Sequence, residues 1–291
     1  MEVQSGLNSY LRVSSTSDMV SPNTTDLPPV VVTAPSTVSG SYSGVYITFM
    51  GGGGGSGPGP VDDHEQPIGP EDPPPPVDSK TFLDGHPQFE KLTQQMQAWV
   101  LQSEKATNQF ADFLKSGGQI VLADRGAYSA RYDPNSNTII LDKGTMERLV
   151  AGVGGHPQAE GLMFFAFAHE LGHAVLAATS AYPFNPYGNE IDWAEFRSKN
   201  EALSNANAML IANELQAADP SIQIPFSGYG GDQALRPLWN AFLIDHDFDS
   251  LINAMSDMVS NYPWPGGVDL NGDGFINQID RYIEEFRAPR P

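Results

Sequence analysis

The residues with the clearest chemical potential are concentrated in one pentapeptide, His169-Glu170-Leu171-Gly172-His173. The two histidines are four positions apart, so on a helix they share one face and both imidazoles can reach a single Zn²⁺. Glu170 lies one position along, where its carboxylate can orient and deprotonate an attacking water. The flanking residues are apolar, and a buried helix carrying these three side chains is costly unless a metal or partners satisfy them. The pattern predicts a catalytic zinc site.

A catalytic zinc site needs a third protein ligand, and the next predicted helix offers two carboxylates. Asp192 and Glu195 have the spacing of a capping box, which would account for Glu195 as part of a helix start. Glu201 stands where the helix becomes apolar and small, so it is the favoured ligand and Glu195 is the alternative. Asn205 lies one turn beyond Glu201 on the same face. Asn205 is predicted to contact a histidine ligand on the side away from the metal and so to hold its orientation.

The two motifs together resemble the gluzincin metallopeptidases, the thermolysin-like clan in which two histidines and a glutamate bind zinc. The second motif of that clan commonly reads N-E-A-x-S-D, and residues 200–205 read Asn-Glu-Ala-Leu-Ser-Asn. The resemblance covers roughly residues 118–217. It implies zinc ligation by His169, His173 and Glu201, with Glu170 as the general base.

The resemblance also implies an edge strand above the site, for which Thr138–Asp142 is the candidate, and a peptide substrate would add to it as an extra strand. Asn205 departs from the pattern, because large members of the clan have Asp there and Asn carries no charge. The compact strand, hairpin and HELGH order is similar to small bacterial effector and toxin metallopeptidases. We therefore expect a protein or peptide substrate, and a secretion-machinery or immunity protein as a further partner.

A zinc peptidase also needs a group that stabilises the transition-state oxyanion, usually Tyr, His or Arg near the metal. The sequence does not choose among four candidates, which are Tyr182, Tyr187, Tyr229 and His246. His246 stands among three carboxylates, so a solvated acidic turn is its favoured interpretation.

Near the C-terminus, residues 269–280 match the EF-hand calcium loop at positions 1, 3, 5 and 6, with Gly274 at the sharp turn. Oxygen ligands for Ca²⁺ would come from Asp269, Asn271, Asp273, the Phe275 carbonyl, Asn277 and Asp280. An Asp at position 12 resembles the dockerin-type loop, but dockerins carry two loops and only one is found. Prolines and glycines at 263–267 exclude a regular entering helix, and a helix over Arg281–Phe286 is predicted to follow.

Composition divides the chain near residue 80. Residues 1–80 hold 12 of the 24 prolines and 11 of the 29 glycines, and such a segment buries too little apolar surface to fold. We predict a disordered Gly/Pro-rich leader over 1–80, in which Val30–Thr33 and Val45–Met50 could form strands. A metallopeptidase domain over 81–262 and a calcium-loop segment over 263–291 would follow.

Apolar periodicity and turn residues predict the α+β class for the globular part. The predicted helices cover 89–114 (continuous or interrupted), 144–150, 157–178, 192–217 and most of 233–260. The predicted strands cover 119–123, 127–132 and 138–142, with the last two forming a hairpin. Combined with the resemblance, this predicts a zincin-like metallopeptidase with a small antiparallel sheet and an active-site helix pair.

Charge and cysteine content exclude several other classes. The formal net charge of −20 argues against a nucleic-acid partner and an anionic membrane surface. The chain has no cysteine, which excludes disulfides and thiolate chemistry. We expect no membrane span, because no uncharged apolar stretch of about 18 residues is present. No ordinary signal peptide is visible, so we expect either secretion by a specialised route or a cytoplasmic location.

Three classes of function remain open. The favoured one is a zinc peptidase that acts on a protein, as an exported bacterial effector or toxin. The second is a non-catalytic binding module in which HELGH is a metal-stabilised fold element. The third is a zinc hydrolase with a non-peptide substrate. Glu170 separates the first two, because a purely structural metal site has no use for a base beside the metal.

Overall fold

The computed structural model describes residues 78–126, 128–153, 158–179 and 188–288. The leader up to residue 77, with its two apolar patches Val30–Thr33 and Val45–Met50, lies outside the described residues. The described elements are α1 (Ser79–Leu83), a 3-10 turn (Phe89–Lys91), α2 (Gln94–Gln102), α3 (Glu104–Lys115), β1 (Gln119–Ala123), β2 (Ala130–Asp133), β3 (Thr138–Asp142), α4 (Lys143–Val150), α5 (Ala159–Thr179), α6 (Glu190–Ala218), α7 (Gly231–Asp245), α8 (Phe248–Ser260) and α9 (Gln278–Arg287). These helices and the small sheet confirm the α+β class.

The first predicted helix is interrupted, and polar caps explain where. The Thr93 side chain accepts a hydrogen bond from the N–H of Met96 and begins α2. Ser103 ends α2 and begins α3, because its side chain accepts from the N–H of Ala106. The Ser103 hydroxyl also donates to Glu214 Oε2 at 2.6 Å, which ties the break to α6.

The sheet is mixed rather than antiparallel, so that part of the prediction is wrong. Its strand order is β1-β3-β2, with β1 parallel to β3 and β2 antiparallel to β3. After β1 the chain crosses to the far side of the sheet, descends through β2, and turns at 134–137 into β3. Because β2 runs opposite to β1 and the hairpin reverses the chain again into β3, β1 and β3 run in the same direction.

This topology also corrects the position of the edge strand. Thr138–Asp142, predicted to be the edge above the site, is the central strand and pairs on both sides. The strand that leaves an edge open beside α5 is β2, which contacts α5 directly. Any peptide that added to the sheet near the site would therefore pair with Ala130–Asp133.

Helix α5 forms the centre of the core. It contacts α2, α3, α4 and α6 as well as β2 and β3. Its aromatic residues pack against other rings, with Phe164 edge-on to Trp99 at 5.2 Å and Phe167 edge-on to Phe110 at 5.3 Å between centroids. The motif residues are thus carried on an element fixed from several sides.

By length and composition alone, α5 could also cross a membrane, and it is the one such helix in the described ranges. However, 56% of its most apolar window is buried inside the protein. The core helix of a globular protein meets the same criteria. We interpret α5 as a core helix because His169, Glu170 and His173 would be costly in contact with lipid.

Helix α6 begins earlier than predicted and with a different cap. Asn189 is the cap, and its Oδ1 accepts from the N–H groups of Ile191 at 3.0 Å and Asp192 at 2.9 Å. The predicted capping box between Asp192 and Glu195 is wrong, because Asp192 already lies in the first turn of the helix. The helix is capped instead by Asn189, which lies three residues before Asp192.

The C-terminal elements pack onto α6. The region predicted as mostly helical forms two helices, α7 and α8, and no helix enters the loop that follows α8. Instead, Pro263 and Asn277 form an antiparallel bridge that closes the loop. Beyond it, α9 contacts both α6 and α8 and buries Tyr282 and Ile283. The helix predicted over Arg281–Phe286 lies within α9.

Candidate metal centre

Three predicted ligands converge between α5 and α6. The Nε2 atoms of His169 and His173 are 3.0 Å apart. Glu201 Oε2 lies 3.2 Å from His169 Nε2 and 3.5 Å from His173 Nε2. Glu195, the alternative third ligand, is exposed and takes no part in this cluster. The three side chains form the one group of potential metal ligands found in the described ranges.

The spacing of these three atoms fits one tetrahedral zinc ion. Zinc bound at about 2.0–2.1 Å from each ligand would separate the ligand atoms by about 3.3–3.4 Å. The observed separations of 3.0, 3.2 and 3.5 Å bracket that value. Two imidazole nitrogens and a carboxylate oxygen are also the donor set that zinc accepts in catalytic sites with an open position. The residues present therefore fit the metal.

Two asparagines on α6 support the histidine ligands. His173 Nδ1 lies 2.5 Å from Asn200 Oδ1, and because an amide oxygen only accepts, Nδ1 carries the hydrogen and leaves Nε2 free. Asn205 is fully buried, and its Nδ2 donates to the Glu201 carbonyl at 3.1 Å. Its side chain adds to the raised pKa of His169, but its Oδ1 has no hydrogen bond of standard geometry with a described residue. That Asn205 steadies a histidine ligand stays a prediction.

Electrostatics favour an ionised Glu201 beside the histidines. Burial alone would raise the pKa of Glu201, but the charges and hydrogen bonds of His173 and His169 outweigh it and hold that pKa well below its usual range. Burial alone would lower the pKa of His169, but the Glu201 hydrogen bond and the charges of Glu170 and Glu201 raise it. A carboxylate ionised beside two imidazoles is a charge arrangement that could hold a cation.

Glu170 is held by the backbone of β2. Its Oε2 accepts a hydrogen bond of 2.6 Å from the N–H of Tyr132. One carboxylate oxygen is thereby fixed at the strand edge, which leaves Oε1 as the oxygen that can accept a proton. Glu170 also lies close enough to His169 to raise the pKa of that imidazole. The predicted base therefore lies beside the predicted metal ligands.

The register of β2 shows why the Tyr132 N–H is available. The Asp142 N–H donates to the Ser129 carbonyl at 3.0 Å, and Arg131 faces Ile140. In an antiparallel pair, hydrogen-bonded and non-hydrogen-bonded residues alternate. The N–H and C=O of Tyr132 therefore point away from β3, towards the open edge and α5.

Of the oxyanion candidates within the described ranges, Tyr229 is the one whose pKa responds to the charge of Glu201. Burial and the charge of Glu201 raise its pKa to about 12, so it stays a neutral donor. Its hydroxyl is 3.3 Å from that of Tyr282. His246 is an exposed residue at the end of α7, in agreement with the favoured interpretation. Tyr182 and Tyr187 lie outside the described residues.

The C-terminal loop has the predicted turns, but its carboxylates do not converge. Gly272 and Gly274 adopt positive φ angles of 77° and 88°. The oxygens of Asp269 accept from the N–H groups of these two glycines at 2.7 and 3.0 Å. Asp280 is buried and accepts from the N–H groups of Leu270, Asn271 and Asn277. Among the remaining predicted ligands, Asn271 and Asp273 accept from the N–H groups of Asp273 and Phe275, and Asn277 accepts from the N–H of Ile279 at the start of α9. Ca²⁺ binding would require some of these carboxylates to turn inward.

Three residues that the sequence interpretation missed belong to this centre. A role for Asn200 could have been predicted, because this residue directly precedes Glu201 in the second motif. Arg197 lies one turn before Glu201, so an arginine at that spacing on an apolar helix was also a usable signal. Its Nη2 is 3.8 Å from Glu201 Oε1. Tyr132 contributes only its backbone N–H. Because every residue except proline has this group, the residue type gives no signal of the role.

Gly172 allows α5 and α6 to approach closely. A Cβ built at Gly172 would lie 3.0 Å from Ser204 Cα and 3.1 Å from Asn207 Cβ. The first of these is backbone and cannot rotate away. The glycine inside HELGH therefore sets the distance between the helix that carries the histidines and the helix that carries Glu201.

We expect Gly172→Ala to lower the free energy of unfolding by about 1–3 kcal/mol through overpacking and to weaken zinc binding by displacing Glu201. Urea unfolding and a zinc titration measure the two effects. Gly144→Ala is the matched control, because a Cβ there meets only ordinary contacts at 3.6 and 3.8 Å. A Gly172→Ala protein as stable as the Gly144→Ala protein would contradict the close-packing argument.

Comparison with known proteins identifies no relative: no family model, curated protein or solved structure matches the chain significantly.

Proposed function

We propose that this protein is a zinc-dependent peptidase that hydrolyses peptide bonds of a protein substrate. The observation that carries the proposal is the convergence of His169, His173 and Glu201 at separations suited to one zinc ion. Glu170 beside them supplies what a purely structural metal site does not need, a carboxylate that can accept a proton. Its hydrogen bond to Tyr132 keeps it oriented at the strand edge.

When bound, zinc would supply a Lewis acid that polarises the scissile carbonyl and lowers the pKa of water. Glu170 then accepts the proton of the attacking water and returns it to the leaving amine. Asn200 keeps the Nδ1 hydrogen on His173, so that Nε2 faces the metal. Tyr229, neutral because of its raised pKa, is the described candidate for donating a hydrogen bond to the oxyanion.

A peptide substrate is supported by the open edge of β2. The outward N–H and C=O groups of Ala130 and the outward C=O of Tyr132 can pair with an extended peptide, while the N–H of Tyr132 holds Glu170 beside this edge. Peptide pairing and approach to the proposed base would thus take place on the same side of the sheet. A role as an exported effector or toxin, with a secretion or immunity partner, rests on the composition of residues 1–80 and on the resemblance described above.

We expect metal removal to abolish peptide hydrolysis and zinc to restore it. The test is a peptide-library digest by the full chain, read by mass spectrometry, before and after treatment with 1,10-phenanthroline, and again after stoichiometric zinc. The non-chelating isomer 1,7-phenanthroline is the matched control. Cleavage that persists in the metal-free protein would refute the proposal. A zinc-loaded protein that cleaves no library peptide would favour a non-peptide substrate or a non-catalytic module.

We also propose that the loop at 269–280 binds Ca²⁺. An ion that binds only the folded state stabilises it, by about 2.7 kcal/mol when its concentration is 100 times the Kd. We expect Ca²⁺ to raise the melting temperature and Asp269→Ala to remove that shift. Asp257→Ala, which removes an exposed carboxylate of α8, should keep it. An unchanged melting curve across millimolar calcium would contradict the proposal.

A further inference from the structure

A half-buried arginine lies beside the proposed metal centre. Arg197 is on α6, one turn before Glu201, and its side chain is only 28% exposed. The guanidinium lies over the rings of Trp193 at 5.8 Å and Tyr282 at 5.3 Å. Burying a cation is costly unless it is paired, so its position calls for a specific partner.

The partner on the metal side is the second oxygen of Glu201. Glu201 Oε2 faces the two histidines, whereas Oε1 faces Arg197 Nη2 at 3.8 Å. A carboxylate can bind zinc through one oxygen or through both. Attraction of Oε1 to the guanidinium would leave only Oε2 to bind a metal, so that a coordination position could stay open.

The partner on the other side belongs to α9. Glu285 Oε2 lies 3.6 Å from Arg197 Nε, and Tyr282 of the same helix forms one of the two aromatic walls. Arg197 thus lies within ion-pair distance, but beyond hydrogen-bond distance, of a carboxylate at the proposed metal centre and of a carboxylate of the C-terminal helix. Burial alone would lower the pKa of Arg197, but the charges of Glu201 and Glu285 raise it.

We propose that Arg197 is the positioning residue of the metal centre, that it holds Glu201 as a one-oxygen ligand, and that α9 holds Arg197 in place. The inference rests on the proposed zinc site and adds the support that this site requires. Loss of such an outer partner weakens metal binding by about 10–100-fold in known sites.

The test is the zinc affinity of the full chain, measured by competition with a chromophoric chelator. We expect Arg197→Gln to bind zinc about 10–100-fold more weakly than wild type and Arg197→Lys to recover part of the loss. Arg281→Gln is the matched control, because Arg281 pairs with the same Glu285 at 3.4 Å but is 46% exposed and does not contact Glu201. Its zinc affinity should equal that of wild type.

A second readout separates positioning from general stability. In the Co²⁺-loaded protein, the visible absorption bands report the coordination number of the metal. Freed from Arg197, Glu201 can bind through both oxygens, so Arg197→Gln should show weaker bands than wild type and Arg281→Gln should not. If Arg197→Gln does not fold, Glu285→Gln applies the same test more gently, with a smaller loss of affinity in the same direction.

Wild-type zinc affinity and an unchanged cobalt spectrum in Arg197→Gln, or in Glu285→Gln if the former does not fold, would overturn the inference and leave the zinc site intact. A wild-type chain that binds no zinc would instead refute the proposed function, and this inference with it.

Discussion

Replacing Glu170 by Gln is expected to lower kcat/KM for peptide hydrolysis by about 10²–10⁴-fold, the usual contribution of a general acid–base group. The amide is isosteric and its oxygen can still accept the Tyr132 N–H, so the fold and the zinc content should not change. Only the capacity to accept a proton is lost. Steady-state kinetics together with metal analysis by mass spectrometry make the measurement.

Glu160→Gln is the matched control for this change. Glu160 lies on the same helix, and its Oε1 accepts a hydrogen bond from the Thr93 hydroxyl, which the oxygen of a glutamine can also accept. We expect wild-type activity from it. A Glu170→Gln protein with full activity would rule out the proposed base, and one that lost its zinc would indicate a structural role for Glu170.

Replacing Glu201 by Gln is expected to weaken zinc binding by more than about 100-fold, beyond what the loss of an outer partner costs. The change removes an anionic ligand and leaves Arg197 without one of its two carboxylates. Activity should fall with zinc occupancy at a zinc concentration that only just saturates the wild type. A zinc titration with a competing chelator measures the affinity.

Glu195→Gln is the matched control on the same helix. The sequence left Glu195 as the alternative third zinc ligand. Glu195 is exposed and outside the cluster, so its substitution should change neither zinc affinity nor activity. The reverse outcome, with zinc lost from Glu195→Gln and retained by Glu201→Gln, would show that the ligand assignment is wrong.

The sequence could predict the parts of the site that depend on helical periodicity. The spacing of His169 and His173 already placed both on one face, and the small apolar surroundings of Glu201 already favoured it over Glu195. The structure brings Glu201, and not Glu195, next to the two histidines, although one premise of that choice, the capping box at Asp192, was wrong. Local composition near the ligand mattered more than the cap.

What the sequence could not predict depends on pairing between distant segments. Strand direction in the sheet was mistaken because the hairpin signal between β2 and β3 says nothing about how β1 joins them. For the same reason the open edge was assigned to β3 instead of β2. The support from Arg197 depends on α9, which lies far along the chain and whose own sequence carries no sign of this contact.

The central claim is that one zinc ion lies between His169, His173 and Glu201 with a position left open. X-ray absorption at the zinc edge of the zinc-loaded wild-type chain tests it most directly. We predict two imidazole nitrogens and two oxygens at about 2.0–2.1 Å, with the imidazole signal reduced to that of a single ring in His173→Ala. A shell of oxygens alone, or zinc that dissociates during gel filtration, would contradict the account.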